Sequence, residues 1–285
     1  MFKRGKNFFN ISGKKAHLDS PCTFFSKNHR GQITIFVILG LIIVGAAVLV
    51  YFLYPQIKST FNGPTDPQGF IQSCVENKIK DTVTQLELHG GSMNPSFYYQ
   101  YYNDNLKKPY HVAYLCYINE YLQPCIVQQP LLQGYMENVI KQEINSTVSS
   151  CFSDLEKSYK SRGYSETLQK GSTVVDILPE RIVVTFNNKF TITKGETQSY
   201  DKFNVLVNNN LYELSAIANS ILNWEVSYGD APVQAYMSNY HNLIVEKKEQ
   251  SDGTKVYIIT DKDTNEIFQF ASRSFAWPPG YGWTG

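Results

Sequence analysis

Arg30-Gly31-Gln32-Ile33-Thr34-Ile35-Phe36-Val37-Ile38-Leu39-Gly40-Leu41-Ile42-Ile43-Val44-Gly45-Ala46-Ala47-Val48-Leu49-Val50-Tyr51-Phe52-Leu53-Tyr54 divides the chain into three parts. Residues 33–54 are 22 consecutive positions without a charge. As a helix they extend roughly 33 Å, enough to cross a bilayer core of about 30 Å. Lipid offers backbone amides no water, so a run of this kind is stable there as a helix that closes its own hydrogen bonds. The sequence therefore predicts a single transmembrane helix over 33–54, with a short basic segment on one side and an α+β domain on the other.

Charge sets the orientation. Lys3, Arg4, Lys6, Lys14, Lys15, Lys27 and Arg30 face a single acid, Asp19, so residues 1–32 carry +6 and the remainder carries −5 of the chain's net +1. Lys and Arg crowded at one end of a span hold that end in the cytoplasm, which places the C-terminal part outside the cell. Tyr51 and Tyr54 fall at the outer boundary, where amphipathic rings settle at headgroup level, and Pro55 follows. The apolar run exceeds the 7 to 15 residues of a secretory signal, and Tyr54-Pro55-Gln56 lacks the small residues of a cleavage site. A membrane-held protein, in contact with lipid through this helix, is the expectation.

Four of the five cysteines, Cys74, Cys116, Cys125 and Cys151, follow the span, whereas Cys22 precedes it. An even number outside a membrane points to disulfides, for which three pairings exist. Cys-x-x-Cys spacing is absent and no histidine lies nearby in helical register, which speaks against zinc.

Beyond a turn-rich linker over 55–69, Phe70, Ile71, Cys74, Val75, Ile79, Val83 and Leu86 recur at helical spacing, and Gly90-Gly91 supplies a stop. A longer helix is predicted from Pro130 to about Tyr159, with Cys151 on its apolar stripe. Cysteines on two buried helix faces favour a Cys74 to Cys151 staple, leaving Cys116 with Cys125. By chain entropy the two bridges contribute about 4.5 and 2.7 kcal/mol. Residues 92–130 read as a loop-rich excursion, so 70–163 form a helical, cysteine-containing part.

After Gly163 the period changes to two. Thr173–Ile177, Arg181–Phe186, Lys189–Thr193 and Tyr200–Val207 are predicted strands, followed by a helix over 208–226. Leu243–Lys248, Lys255–Thr260 and Glu266–Ser272 form a second strand series, and an aromatic, proline-containing tail ends the chain. This β-rich part spans 164–285. The expected fold class is thus α+β: one transmembrane helix, two disulfide-stapled helices, and a mainly antiparallel sheet with one further helix.

Candidate functional residues are few. Arg30-Gly31-Gln32 set directly against the apolar helix resembles the archaeal class III signal peptides of archaellins and type IV pilin-like surface proteins. The resemblance implies a membrane leader peptidase that cuts between Gly31 and Gln32, and a subunit that associates with its own kind, as oligomer or filament, through the apolar helix. Thr34 and Phe36 stand where that pattern has serine and glutamate. More broadly, Arg30-Gly-Gln-Ile-Thr-Ile-Phe36, the Phe70-Ile-Gln-Ser-Cys74 helix ending in Gly90-Gly91, and the Cys151-Phe152 helix resemble a set of archaeal single-pass, membrane-anchored surface proteins to which no activity is attached.

The Phe97 to Tyr102 run offers Tyr98, Tyr99, Tyr101 and Tyr102 as a ligand platform, since phenolic rings present flat apolar area and a hydroxyl. Packing of those rings against their own domain is the competing reading. Asp261-x-Asp263-x-Asn265 imitates the start of a calcium loop, but Glu266 replaces the bend glycine and Ser272 the last ligand, which leaves a polar turn. Histidines 89, 111 and 241 are scattered, and nucleotide-loop, dinucleotide and serine-nucleophile motifs are missing. No catalytic residue, metal ligand or cofactor is expected. The net −5 beyond the leader also disfavours nucleic acid. Asn145-Ser146-Thr147 is a glycosylation sequon on a predicted helix. A non-catalytic, single-pass cell-surface protein is the first expectation, and an ectodomain binding glycan or protein the alternative.

Overall fold

The computed structural model describes residues 38–45, 66–103, 107–121 and 123–275. Residues 38–45 are helical (α1), with exposed side chains. The rest of the expected span, the Gly31-Gln32 junction and the aromatic tail lie outside the described residues. Among the described residues no helix is long and apolar enough to cross a membrane.

From Asp66 onward the described chain belongs to one compact unit of mixed α+β structure. Asp66 starts α2 (Pro67–Leu88): its carboxylate accepts from the N–H groups of Gln68 and Gly69, and Pro67 occupies a first-turn position where a missing N–H costs nothing. The helix closes through Gly90 and Gly91, both at positive φ. A Cβ on Gly91 would lie 2.8 Å from Leu132, so close approach as well as backbone geometry demands glycine there. Ile71, Val75, Ile79, Val83 and Leu86 form the buried stripe.

That stripe packs beside α3 (Leu132–Ser161), which buries Leu132, Met136, Ile140, Ile144, Val148, Phe152 and Leu155. Cys74 and Cys151 join the two helices, with Cα atoms 6.0 Å apart. Cys116 and Cys125 form the second bridge, with Cα atoms 5.4 Å apart. Both bridges follow the pairing expected from the helix faces.

Three sheets surround the helices. The largest takes the order β1-β2-β12-β11-β10 from β1 (Tyr98–Asn103), β2 (Lys108–Tyr117), β10 (Leu243–Glu249), β11 (Thr254–Asp261) and β12 (Ile267–Arg273), with β3 (Ile126–Val127) paired to β2. All its pairings are antiparallel except β12 with β2. The second sheet, β4-β7-β8, uses Ser165–Gln169, Lys189–Lys194 and Glu196–Tyr200; the third, β5-β6-β9, uses Thr173–Leu178, Arg181–Phe186 and Phe203–Asn208. Two more helices follow, α4 (Leu211–Tyr228) and α5 (Val233–Asn239).

The largest difference from expectation lies over 92–130. Instead of a loop-rich excursion the chain forms β1 to β3. Tyr is a strong strand former, and Tyr98 to Asn103 alternates sides, with Tyr101 and Asn103 buried and Tyr98, Gln100 and Tyr102 exposed. The main sheet therefore takes strands from both sides of Gly163, so it spans the two parts divided at 163/164 by sequence. β4, β8 and α5 were not expected, and two further helices are present rather than one.

Candidate functional site

The four tyrosines of the expected platform share β1 but not a face. Residues directly opposite across a ladder share a side, and the register sets Tyr98 against Ala113, Gln100 against His111 and Tyr102 against Pro109. Tyr98 and Tyr102 are 40 % and 54 % exposed, and the Tyr98 ring stacks on His111 with centroids 3.9 Å apart. Tyr99 and Tyr101 take the other face, where Val112, Tyr114, Val256, Ile258 and Ala271 form a small separate core. Tyr101 is 8 % exposed, and Tyr99 donates its hydroxyl to the Gln250 side chain at 3.1 Å. Two of the four therefore pack the sheet against itself, as the competing reading held, while Tyr98 and Tyr102 present rings to solvent.

A second constellation was not anticipated. The α4 stripe of Leu211, Leu214, Ala218, Ile221 and Leu222 continues at Glu225, a carboxylate with no solvent exposure. Ser272 donates to it at 2.7 Å, Tyr257 at 2.5 Å, and the Lys255 ammonium reaches its two oxygens at 2.9 and 3.0 Å. Lys255 also donates to the Gly229 carbonyl and lies 3.4 Å from Asp230. Burial, reinforced by the Glu225 charge and hydrogen bond, drives the Tyr257 phenol far above its ordinary value. Burial pushes the Asp230 carboxyl upward, but the Lys247 hydrogen bond at 2.7 Å and the Lys255 and Lys247 charges outweigh it and hold the group below its usual range.

Lys255 and Tyr257, alternate inward residues of β11, Ser272 on β12 and Ser274 just past its end aim these groups at one helix residue. Ser274 donates to the Glu225 carbonyl and accepts from the Cys125 N–H, so the network also pins the Cys116–Cys125 loop. A pocket of about 260 Å³ opens beside it, lined by Asp230, Glu249, Thr254, Lys255, Ser274 and Phe275. Chemically the cluster compensates a buried charge: every donor on Lys255 has an acceptor, and the carboxylate is surrounded by donors. A helix-face carboxylate in register with Ile221 was the available sequence signal.

The calcium-like stretch forms the β11–β12 turn. Asp261 Oδ1 accepts from the N–H groups of Asp263 and Thr264, and Oδ2 from the side-chain amides of Asn210 and Asn242. Its oxygens thus hold the turn and the start of α4. Among the described residues no group of three or more His, Cys, Asp or Glu side chains is arranged to hold a metal ion. His89, at the end of α2, lies near His111 on β2, and burial together with the His111 charge holds the His89 imidazole below its ordinary value, whereas His241 stands apart before β10. Comparison with protein-family models, curated proteins and solved structures finds no match.

Proposed function

We propose that this chain is a non-catalytic, single-pass cell-surface protein, with residues 1–32 cytoplasmic, residues 33–54 in the membrane and the α+β unit outside. The observation that carries the reading is the pair of disulfides built into that unit, Cys74–Cys151 and Cys116–Cys125, which suit an oxidising compartment. They agree with the orientation given by the basic residues before the uncharged run. In the same reading a membrane peptidase removes residues 1–31, and the mature subunit begins at Gln32.

Two measurements test this. Lys157 lies on α3 with its side chain 72 % exposed, so a Lys157→Cys variant should react with a membrane-impermeant maleimide on intact cells. Labelling that requires permeabilised cells would reverse the topology. Intact mass of the membrane-extracted protein should correspond to a start at Gln32; a start at Met1 would remove the processing step and leave the anchor.

A second reading, a ligand-binding ectodomain for glycan or protein, draws support from the exposed rings of Tyr98 and Tyr102. It requires binding that falls when both are changed to Ala.

A further inference from the structure

We propose that β1 is a self-association edge, where a second copy of this chain adds its own β1 antiparallel across a two-fold axis at Gln100. This inference concerns the folded unit alone and stands apart from the membrane reading.

The direction of the backbone groups is fixed by two hydrogen bonds. The Ala113 N–H donates to His89 O, away from β1, whereas the Tyr114 N–H donates to Phe97 O, toward it. Alternate residues of an antiparallel ladder face the same side. Val112 and Tyr110 therefore address β1, and their partners Tyr99 and Tyr101 address β2. Tyr98, Gln100 and Tyr102 direct their N–H and C=O groups outward, where among the described residues no strand lies beyond β1.

The other sheet edges are protected. β10 carries Glu246, Lys247, Lys248 and Glu249; β4 carries Glu166, β8 Glu196 and β5 Asp176, and β3, paired with β2 alone, is uncharged but only two residues long. Uncharged β9 is covered by α2: Gln72 donates to Leu206 O at 2.9 Å and accepts from Leu206 N at 3.0 Å, and Gln68 does the same at Asn204. β1 has no charge and no proline, and among the described residues no such cover.

Its sequence also selects the partner. Tyr98-Tyr99-Gln100-Tyr101-Tyr102 reads identically in both directions. Antiparallel pairing about Gln100 sets Gln100 against Gln100 and Tyr98 against Tyr102. These are the residues whose backbone groups face outward, so the symmetric register is also the hydrogen-bonded one. The exposed Tyr98 and Tyr102 rings then meet as cross-strand aromatic pairs, which favour association, and no like charges are opposed. A two-fold contact of this kind closes after two copies.

The full chain in detergent micelles tests the edge. A Gln100→Cys variant brings the substituted position against its own copy at about 5.5 Å between Cα atoms, within disulfide reach. Mild oxidation should yield a covalent dimer that peptide mapping traces to position 100, while Lys157→Cys, exposed on α3 and away from the edge, forms no such covalent dimer. Sedimentation should show Gln100→Lys dissociating at roughly fivefold higher concentration than the unaltered chain, because two like charges then oppose each other. Equal cross-linking at both positions, or association unchanged by Gln100→Lys, would overturn the proposal and assign any dimer to another surface. Should Gln100→Lys fail to fold, the Gln100→Cys result decides alone.

Discussion

Glu87, at the end of α2, is 4 % exposed, and one amide nitrogen of Asn209 donates to it and to Glu266, each at 2.9 Å. Burial raises its pKa to about 8; the Asn209 bond works against that rise and the nearby Glu266 charge adds to it. Unfolded, the same carboxyl titrates near 4.5. Between those values the folded state holds a proton that the unfolded state has lost, so stability falls as pH rises. The contribution is fully present below the unfolded value and lost as pH passes through 8, with a size on the order of 5 kcal/mol. Urea midpoints at pH 5 and pH 8 should differ in that direction, and Glu87→Gln, which is neutral throughout, should flatten the decline. An equally steep decline in the variant would assign it to other groups. At this scale the sequence was only partly legible. Glu225 stands out on an apolar stripe, but its partners Lys255 and Ser272 lie 30 and 47 residues away and reach it through strand pairing that no local pattern encodes.

Among elements, the long helices α2, α3 and α4 were readable because their burial repeats at three- and four-residue spacing, whereas the seven-residue α5 was not, and the cysteine pairing followed from the faces of α2 and α3. β1 was not, because a run of tyrosines carries no polar–apolar alternation to betray a strand, even though the alternation exists in burial. β4, Ser-Glu-Thr-Leu-Gln, has one large apolar residue and was equally silent. The two bridges make unequal demands. Cys74–Cys151 closes a separation of 77 residues and Cys116–Cys125 one of 9, so chain entropy assigns about 4.5 kcal/mol to the first and about 2.7 kcal/mol to the second. Replacing Cys74 and Cys151 together by Ser should lower the guanidinium midpoint more than replacing Cys116 and Cys125 together. The reverse order would mean that the shorter bridge, whose loop hangs on Ser272, Ser274 and Glu225, holds the sheet as well as its own turn.

For the whole molecule, chain order suggested a helical part up to residue 163 and a β-rich part beyond it, yet the contacts join them. β2, from the first part, lies between β1 and β12, and β12 comes from the last strands of the second. The α2 glutamines cover β9, and Phe152 of α3 packs edge-on against Phe186 and Phe203 with centroids 5.9 and 5.1 Å away. Neither half can bury its apolar surface alone: without residues beyond 163, β2 loses β12 and α2 loses the cover of β9. Residues 66–275 should therefore unfold as one cooperative unit rather than as two. Guanidinium unfolding followed by far-ultraviolet circular dichroism reports all the helices together. The tryptophan signal of a Trp277→Phe, Trp283→Phe variant reports Trp224 on α4 alone. The two curves should coincide, and a fragment ending at Gly163 should lack a cooperative transition. Separate midpoints, or a fragment that melts sharply by itself, would restore the division at 163 and make the shared sheet a docking contact between two domains.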